Sequence, residues 1–241
     1  DPTARPRAQA PERQFVIIGA GMCGLYQLHK LLDMGADVTV LERGDDVGGT
    51  WYWNRYPGCR FDSESYTYGY SFSKELLAEW DWTEHFSPQP ENLRYVNHVV
   101  DKFGLRPHVQ FGCNLTRAVW DDEQQIWTLE LADGRTLTCR FLLTAIGLLS
   151  APTMPRLAGM DSFLGPSFHT YYWPQEPVDL AGKRVAVIGT GATGVQLVAE
   201  IADKVGELTV FQRRPNWCAP LHNSPISAAE MARIRASYDE I

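Results

Sequence analysis

The sequence predicts an α/β protein with two Rossmann-like dinucleotide-binding domains, the second of them incomplete within these 241 residues. Three observations carry that reading. Gly19-Ala20-Gly21-Met22-Cys23-Gly24 follows the apolar run Phe15 to Ile18. Gly189-Thr190-Gly191-Ala192-Thr193-Gly194 follows Val185 to Ile188, and each glycine pattern leads into a helix-periodic stretch. Counting twenty-three positions on from Gly19 and from Gly189 reaches Glu42 and Gln212, each closing a second apolar segment.

Each glycine has its own task. Gly19 and Gly189 permit the tight turn, Gly21 and Gly191 let backbone approach a pyrophosphate, and Gly24 and Gly194 let helix and strand pack closely. The phosphates then rest at the positive end of the new helix. An acid at Glu42 accepts hydrogen bonds from ribose hydroxyls, which suits the unphosphorylated adenosine ribose of FAD. At the second site neutral Gln212 stands in that place, followed by Arg213 and Arg214. Guanidinium groups bind a 2′-phosphate that a carboxylate would repel, so this site reads as one for NADPH or NADP⁺. The other reading of Arg213 and Arg214 is a solvated strand end.

The remaining elements follow in order. A βαβ unit is predicted over roughly 14–42. Residues 43–87 are rich in aromatics and poor in periodicity, and a loop of that length in a compact domain is usually functional. Leu93, Val96, Val100 and Phe103 recur at helical spacing, which predicts a helix from near Pro90. From about 108 to 146 the pattern is that of short strands, including Ile126 to Leu131, the turn Asp133-Gly134 and Thr136 to Thr144. Phe141 to Gly147 reads as a buried strand returning to the parallel sheet. Ser227 with Glu230 forms a capping box ahead of Met231 and Ile234.

The resulting division is a flexible tail over 1–13, an FAD domain over 14–151, a linker over 152–182 and an NADP domain over 183–241. Two strands and a helix cannot complete a doubly wound sheet, so the expectation is an incomplete polypeptide. No internal repeat is evident besides the two βαβ units.

Composition narrows the function classes. Charged residues at 21% and hydrophobic ones at 44% describe a soluble globular protein. A net charge of −7 offers no basic footprint for nucleic acid or an anionic membrane. Five scattered cysteines without Cys-x-x-Cys argue against a disulfide framework and a zinc site, and fit a reducing cytoplasm. No apolar run is long enough to span a bilayer, and residues 1–13 lack a secretory signal's apolar core.

Between the two fingerprints lies Phe163-x-Gly165-x-x-x-His169-Thr170-x-x-Trp173-Pro174. With it, and with Gly48 to Gly58 followed by Asp62 and Glu64, the chain resembles the N-terminal part of a type I Baeyer–Villiger monooxygenase from about residue 14 onward. The resemblance implies a reaction in which NADPH reduces FAD and O₂ is captured as a C4a-peroxyflavin. One oxygen atom is then inserted beside a ketone carbonyl to give an ester or lactone. The flavin carries the hard chemistry while the protein orients the reactants and stabilises the anion.

The resemblance also implies roles for particular residues. Asp62 matches the aspartate that orients a catalytic arginine. Gly49, Cys23, Thr50, Trp51, Trp53, Tyr68 and the backbone near Leu115 match FAD contacts, with Glu42. Arg60, Thr190, Gly191, Ala192, Thr193, Gly194, Val195 and Gln196 match NADP contacts, with Arg213 and Arg214. Asp62 can also be read as a solvated loop acid, and Trp51, Trp53 and Tyr68 as plain aromatic core. His169 is expected to tie linker backbone together. The family's arginine has no counterpart here, so the polypeptide alone is expected to be inactive and its missing portion to complete the fold.

The partners implied are a small-molecule ketone and O₂, with no nucleic acid and no membrane. Rivals stay open. A flavin disulfide reductase shares the architecture but needs a cysteine pair where this chain has Trp51. An N- or S-oxygenating flavin monooxygenase is the nearest enzymatic alternative, against which Trp173 and Asp62 weigh. A non-catalytic cofactor-binding fragment that needs a partner chain is the other.

Overall fold

The computed structural model describes residues 10–240. They form two compact units, one running up to Tyr52 and over Val96–Pro152, the other comprising Trp53–Tyr95 and the chain from Thr153. The units interleave along the sequence, whereas the division expected from the sequence runs in order.

In the first unit β1 (Arg13–Ile18) leads into α1 (Met22–Asp33) and then β2 (Val38–Leu41). A four-residue helix, α2 (Thr50–Trp53), carries the chain out of this unit. β1 starts at Arg13, inside the expected tail; residues 1–9 of that tail lie outside the described residues. The second unit opens with α3 (Ser65–Tyr68) and α4 (Lys74–Glu79). Then α5 (Gln89–Lys102) returns the chain to the first unit.

Four strands finish that unit's sheet: β3 (Val109–Gln110), β4 (Leu115–Asp121), β5 (Ile126–Leu131) and β6 (Thr136–Thr144). The order is β3-β2-β1-β6-β5-β4. β3, β2, β1 and β6 are parallel, and β6, β5 and β4 are antiparallel. Val16, Leu41, Cys113, Leu129, Leu131 and Cys139 form a buried cluster on it. β1 pairs with β2 on one side and β6 on the other, which makes its carboxyl end a topological switch point, the place where such sheets bind ligands.

β6 departs from expectation in its burial. Phe141 is 50% exposed and stacks on Phe15 at 4.8 Å, and Ile146 beyond the strand is 58% exposed. Cys139, two residues earlier on the same face, is fully buried in the core cluster, so cover changes along the strand and its continuous apolar run does not mean burial throughout. The aromatic-rich segment 43–87 is not a structureless loop either. It holds α3 and α4 around a cluster of Phe61, Tyr68, Trp80, Trp82 and Tyr95. Irregular aromatic spacing hides such short helices, because packing and not periodicity orders them.

The second unit continues with β7 (Arg184–Ile188), α6 (Ala192–Ile201) and β8 (Glu207–Phe211), a two-stranded parallel pair with its crossover helix. It ends with α7 (Ala228–Ala236). Only half of the expected capping box forms there. Ser227 Oγ accepts from the Glu230 N–H at 3.2 Å, while the Glu230 carboxylate meets His85 Nε2 at 3.1 Å. A positively charged ring competes better for that carboxylate than the cap's own amide.

His85 Nδ1 meets the Ser224 carbonyl oxygen at 3.0 Å. A carbonyl and a carboxylate can only accept, so this geometry calls for an imidazolium donating at both nitrogens. The Ser224 hydrogen bond, followed by Glu230 and the charge of Glu64, raises the His85 pKa above 6.5 against the opposing effect of burial. A raised pKa means the stabilisation is full below pH 6.5 and is lost as pH rises through the higher folded value. Protection of the Ile226 amide, which donates to Thr83 O at 2.9 Å, is therefore expected to fall across that range. Hydrogen exchange corrected for intrinsic rate checks this, and His85→Gln should flatten the profile.

Candidate dinucleotide sites

The first site is built on backbone proximity. Gly19 sits at φ +101°, and a Cβ there would lie 2.6 Å from the Ala145 carbonyl oxygen at the end of β6. A Cβ at Gly24 would collide with the Gly19 carbonyl oxygen, so α1 can start this close to β1 only with glycine. Gly49, at φ +53°, approaches Gly21 so closely that its Cβ would be 2.7 Å from the Gly21 Cα. The two glycine segments thus lie against each other at the start of α1.

Glu42 joins them. Its Oε2 accepts from the Ala20 N–H at 2.7 Å and its Oε1 from the Gly44 N–H at 2.8 Å. The residue is only 4% exposed. Each oxygen retains a lone pair, so a ribose contact is chemically open, yet the carboxylate already ties the turn to the loop after β2. That loop has a second anchor which sequence reasoning missed. Arg106 donates from Nη1 to Asp46 Oδ1 at 2.8 Å and from Nη2 to Asn97 Oδ1 at 2.6 Å. No spacing marks an arginine sixty positions from its partner. Of the other residues assigned here, Cys23 and Thr50 are exposed, Trp51 is buried and Leu115 opens β4 half-buried beside the core cluster.

The second site repeats the turn. Gly189 has φ +106°, and a Cβ at Gly194 would lie 2.5 Å from the Gly189 carbonyl oxygen. Gln212 Nε2 donates to Thr190 Oγ1 at 3.0 Å, tying the end of β8 to the glycine turn. Arg213 and Arg214 are exposed.

The starts of the longer helices differ; the four-residue α3 also lacks a side-chain cap, but no glycine turn precedes it. α1 and α6 have glycine N-caps, Gly21 and Gly191, with no side-chain cap hydrogen bond and no acid in the first turn. α4 and α7 instead begin with capping serines, Ser73 and Ser227, and carry Glu75 and Glu230 in the first turn. The helices without caps leave amide donors and the positive dipole end for an anionic group.

Other assigned residues lie elsewhere in the second unit. Arg60 Nη1 donates to Glu84 Oε2 at 3.0 Å and to the Phe86 carbonyl at 3.1 Å. Among the described residues its Nε and Nη2 make no hydrogen bond. Asp62 is exposed. Trp53 stacks on Tyr171 at 6.0 Å and Tyr68 on Phe61 at 4.4 Å, so both rings have aromatic partners within the unit. His169 Nδ1 accepts from the Tyr171 N–H at 3.1 Å, closing a one-turn 3₁₀ helix over Thr170–Tyr172. Trp173 packs on Phe168 at 5.6 Å, whereas Phe163 is exposed. Gly165 lies against the Phe163 ring, and Pro174 is half-buried.

The family of pyridine nucleotide-disulphide oxidoreductases matches residues 16–239. The chain belongs to that family. The disulphide chemistry in the family's name has no cysteine pair here, since all five thiols are free. The chain resembles the N-terminal part of Baeyer–Villiger monooxygenases. An acetone monooxygenase (methyl acetate-forming) from Gordonia sp. (strain TY-5) is 44% identical over 225 residues, covering 93% of this chain and 42% of that protein. A phenazine N-monooxygenase from Lysobacter antibioticus is 42% identical over 227 residues, covering 94% and 42%. The crystal structure of OTEMO in complex with FAD and NADP superposes with a TM-score of 0.92 at 49% identity. That match covers 96% of this chain and 44% of OTEMO. The chain thus spans less than half the length of these relatives.

Because Glu42 holds two backbone amides from a buried position, its replacement should cost stability before any cofactor is added. Glu42→Gln removes one charged acceptor and turns an N–H donor toward an amide, a loss of about 1.5–3 kcal/mol. Urea denaturation of the cofactor-free protein checks this, and a midpoint equal to that of the parent would refute it.

Proposed function

We propose that this chain supplies the nucleotide-binding part of a Baeyer–Villiger monooxygenase, with FAD on the first glycine turn and NADPH on the second. The observation that carries the reading is the pair of uncapped, acid-free helix starts, at α1 and α6, each behind a glycine turn. Every feature of those turns suits a diphosphate. OTEMO was crystallised as a complex with both cofactors, and the Gordonia relative's name describes a ketone converted to an ester.

In this reading Glu42 receives the FAD ribose, while Gly49, Cys23, Thr50, Trp51, Trp53, Tyr68 and Leu115 contribute to the flavin side. Arg213 and Arg214 take the 2′-phosphate of NADPH. Arg60 is suited to the same ligand through the Nε and Nη2 donors it keeps. Asp62 orients, beside the flavin, a catalytic arginine that the rest of the complete protein supplies. When bound, the flavin supplies oxygen activation; the protein orients, excludes water and fixes charge. Five free thiols suit a reducing cytoplasm. Among the described residues no helix is long and apolar enough to cross a membrane.

A second reading is N-oxygenation, favoured by the phenazine N-monooxygenase relative. One experiment separates the two. The complete protein containing this chain is given NADPH, ¹⁸O₂ and panels of ketones, tertiary amines and N-heteroaromatics. An ester or lactone with one ¹⁸O atom supports the Baeyer–Villiger reading. N-oxides without esters support the other.

Two variants test the residue roles. Arg213→Ala combined with Arg214→Ala should raise the KM for NADPH by about tenfold or more and leave that for NADH much less changed, as loss of charged hydrogen bonds implies. Equal losses with both nucleotides would assign the arginines to structure. Asp62→Ala should retain FAD yet lower ketone oxygenation by on the order of 10²-fold, as loss of an oriented electrostatic group does. Oxygenation at the parent rate with flavin bound would make Asp62 an ordinary loop acid.

A further inference from the structure

The resemblance places Gln196 among the NADP contacts, but its carboxamide is engaged elsewhere. Gln196 Oε1 accepts from the Tyr56 hydroxyl at 2.8 Å and from the Arg60 N–H at 3.4 Å. Its Nε2 donates to the Arg60 carbonyl at 2.9 Å. One side chain thus pairs with both backbone groups of a single residue, as a neighbouring strand would. Because the Arg60 N–H can only donate and its carbonyl only accept, the amide orientation is fixed.

The surroundings are shaped for this contact. Gly58 sits at φ +79°, and a Cβ there would lie 2.6 Å from the Gln196 carbonyl oxygen and 2.9 Å from Glu200 Cβ. Only glycine lets the loop over 56–60 lie this close to α6. Tyr56 is buried, and burial first, then neighbouring Cys59, pushes its phenol far above the ordinary range. Burial likewise pushes the Cys59 thiol up to about 11. Tyr56 and Cys59 are therefore neutral, and the Tyr56 hydroxyl keeps its proton to donate. The same loop continues to Arg60, whose guanidinium is held by Glu84, and then to Asp62. Glu84 in turn accepts from Asn223 Nδ2.

We propose that Gln196 is a positioning residue: it registers the Tyr56–Arg60 loop on the helix that opens at the second glycine turn. Occupancy of that turn by NADP⁺ is thereby felt at Arg60 and Asp62. The inference rests on the NADP reading above for its ligand, but not for the clamp itself. Gln196 acts through the loop and is not a nucleotide contact.

The test uses the complete protein containing this chain, with Gln196→Leu and, as a milder change that removes only the phenol's hydroxyl, Tyr56→Phe. Amide hydrogen exchange over residues 56–62 is measured with and without NADP⁺, and NADP⁺ affinity by titration calorimetry. In the parent, NADP⁺ should slow exchange in this segment. Gln196→Leu should speed exchange of the Arg60 amide by about tenfold or more, weaken its response to NADP⁺ and leave the dissociation constant within about threefold. Tyr56→Phe should shift exchange in the same direction by less, which keeps the test valid if the leucine variant does not fold. An unchanged exchange profile in the folded variants overturns the clamp. A tenfold loss of NADP⁺ affinity with exchange unaltered would make Gln196 a ligand and overturn it too. If the parent binds no NADP⁺, the cofactor reading fails, while exchange at Arg60 still decides the clamp.

Discussion

The constraint on which the structure turns is the missing Cβ at Gly24, repeated at Gly194. In each case a side-chain carbon would strike the carbonyl oxygen of the glycine that begins the turn, Gly19 or Gly189. Removing it brings helix and strand together. The glycine N-caps differ between the turns: a Cβ at Gly21 would press on Gly49, whereas one at Gly191 would meet open space. With glycine at both caps, neither helix receives a side-chain cap hydrogen bond. A helix end of this kind offers its amides and its positive dipole end to an anion.

The first site adds a charge to this backbone arrangement. Glu42 draws the Ala20 and Gly44 amides onto one buried carboxylate, and Arg106 holds Asp46 a few residues on. The acid that the sequence marks as a ribose contact is thus also a structural staple. Those two roles are compatible because a carboxylate has more lone pairs than two amides consume. They do mean that loss of cofactor on mutation cannot by itself assign Glu42 to the ribose, and stability must be measured beside it.

Legibility in the sequence follows the range of the interaction. The βαβ units, the helix through Val96 and the hairpin around Asp133-Gly134 are readable because each is written in a local period or turn. The spacing from Gly19 to Glu42 is readable for the same reason. Burial of β6 is not, since an apolar run does not say how far along the strand its neighbours cover it, and Phe141 lies half in solvent while Cys139 on the same face is buried. The helices over 65–68 and 74–79 escape a reading by pattern because aromatic packing, with no periodic signature, organises them. Ser227 and Glu230 have the capping-box spacing, yet His85, more than a hundred residues away in sequence, takes the glutamate. Long-range partners such as Arg106 and Asp46 leave no local trace at all.

The two glycine turns, alike in backbone, are buttressed by different physics. At the first the reinforcing contacts are to backbone amides from a buried charge. At the second a neutral carboxamide, Gln196, reaches a loop whose own charged residue, Arg60, is steadied by Glu84 and the Phe86 carbonyl. A buried charge is costly to disturb and favours one fixed geometry. Neutral hydrogen bonds of about 1 kcal/mol each can be exchanged without leaving a bare charge behind. The first arrangement suits a cofactor held throughout the working life of a protein. On the proposed reading, the second can yield and re-form around a nucleotide that comes and goes.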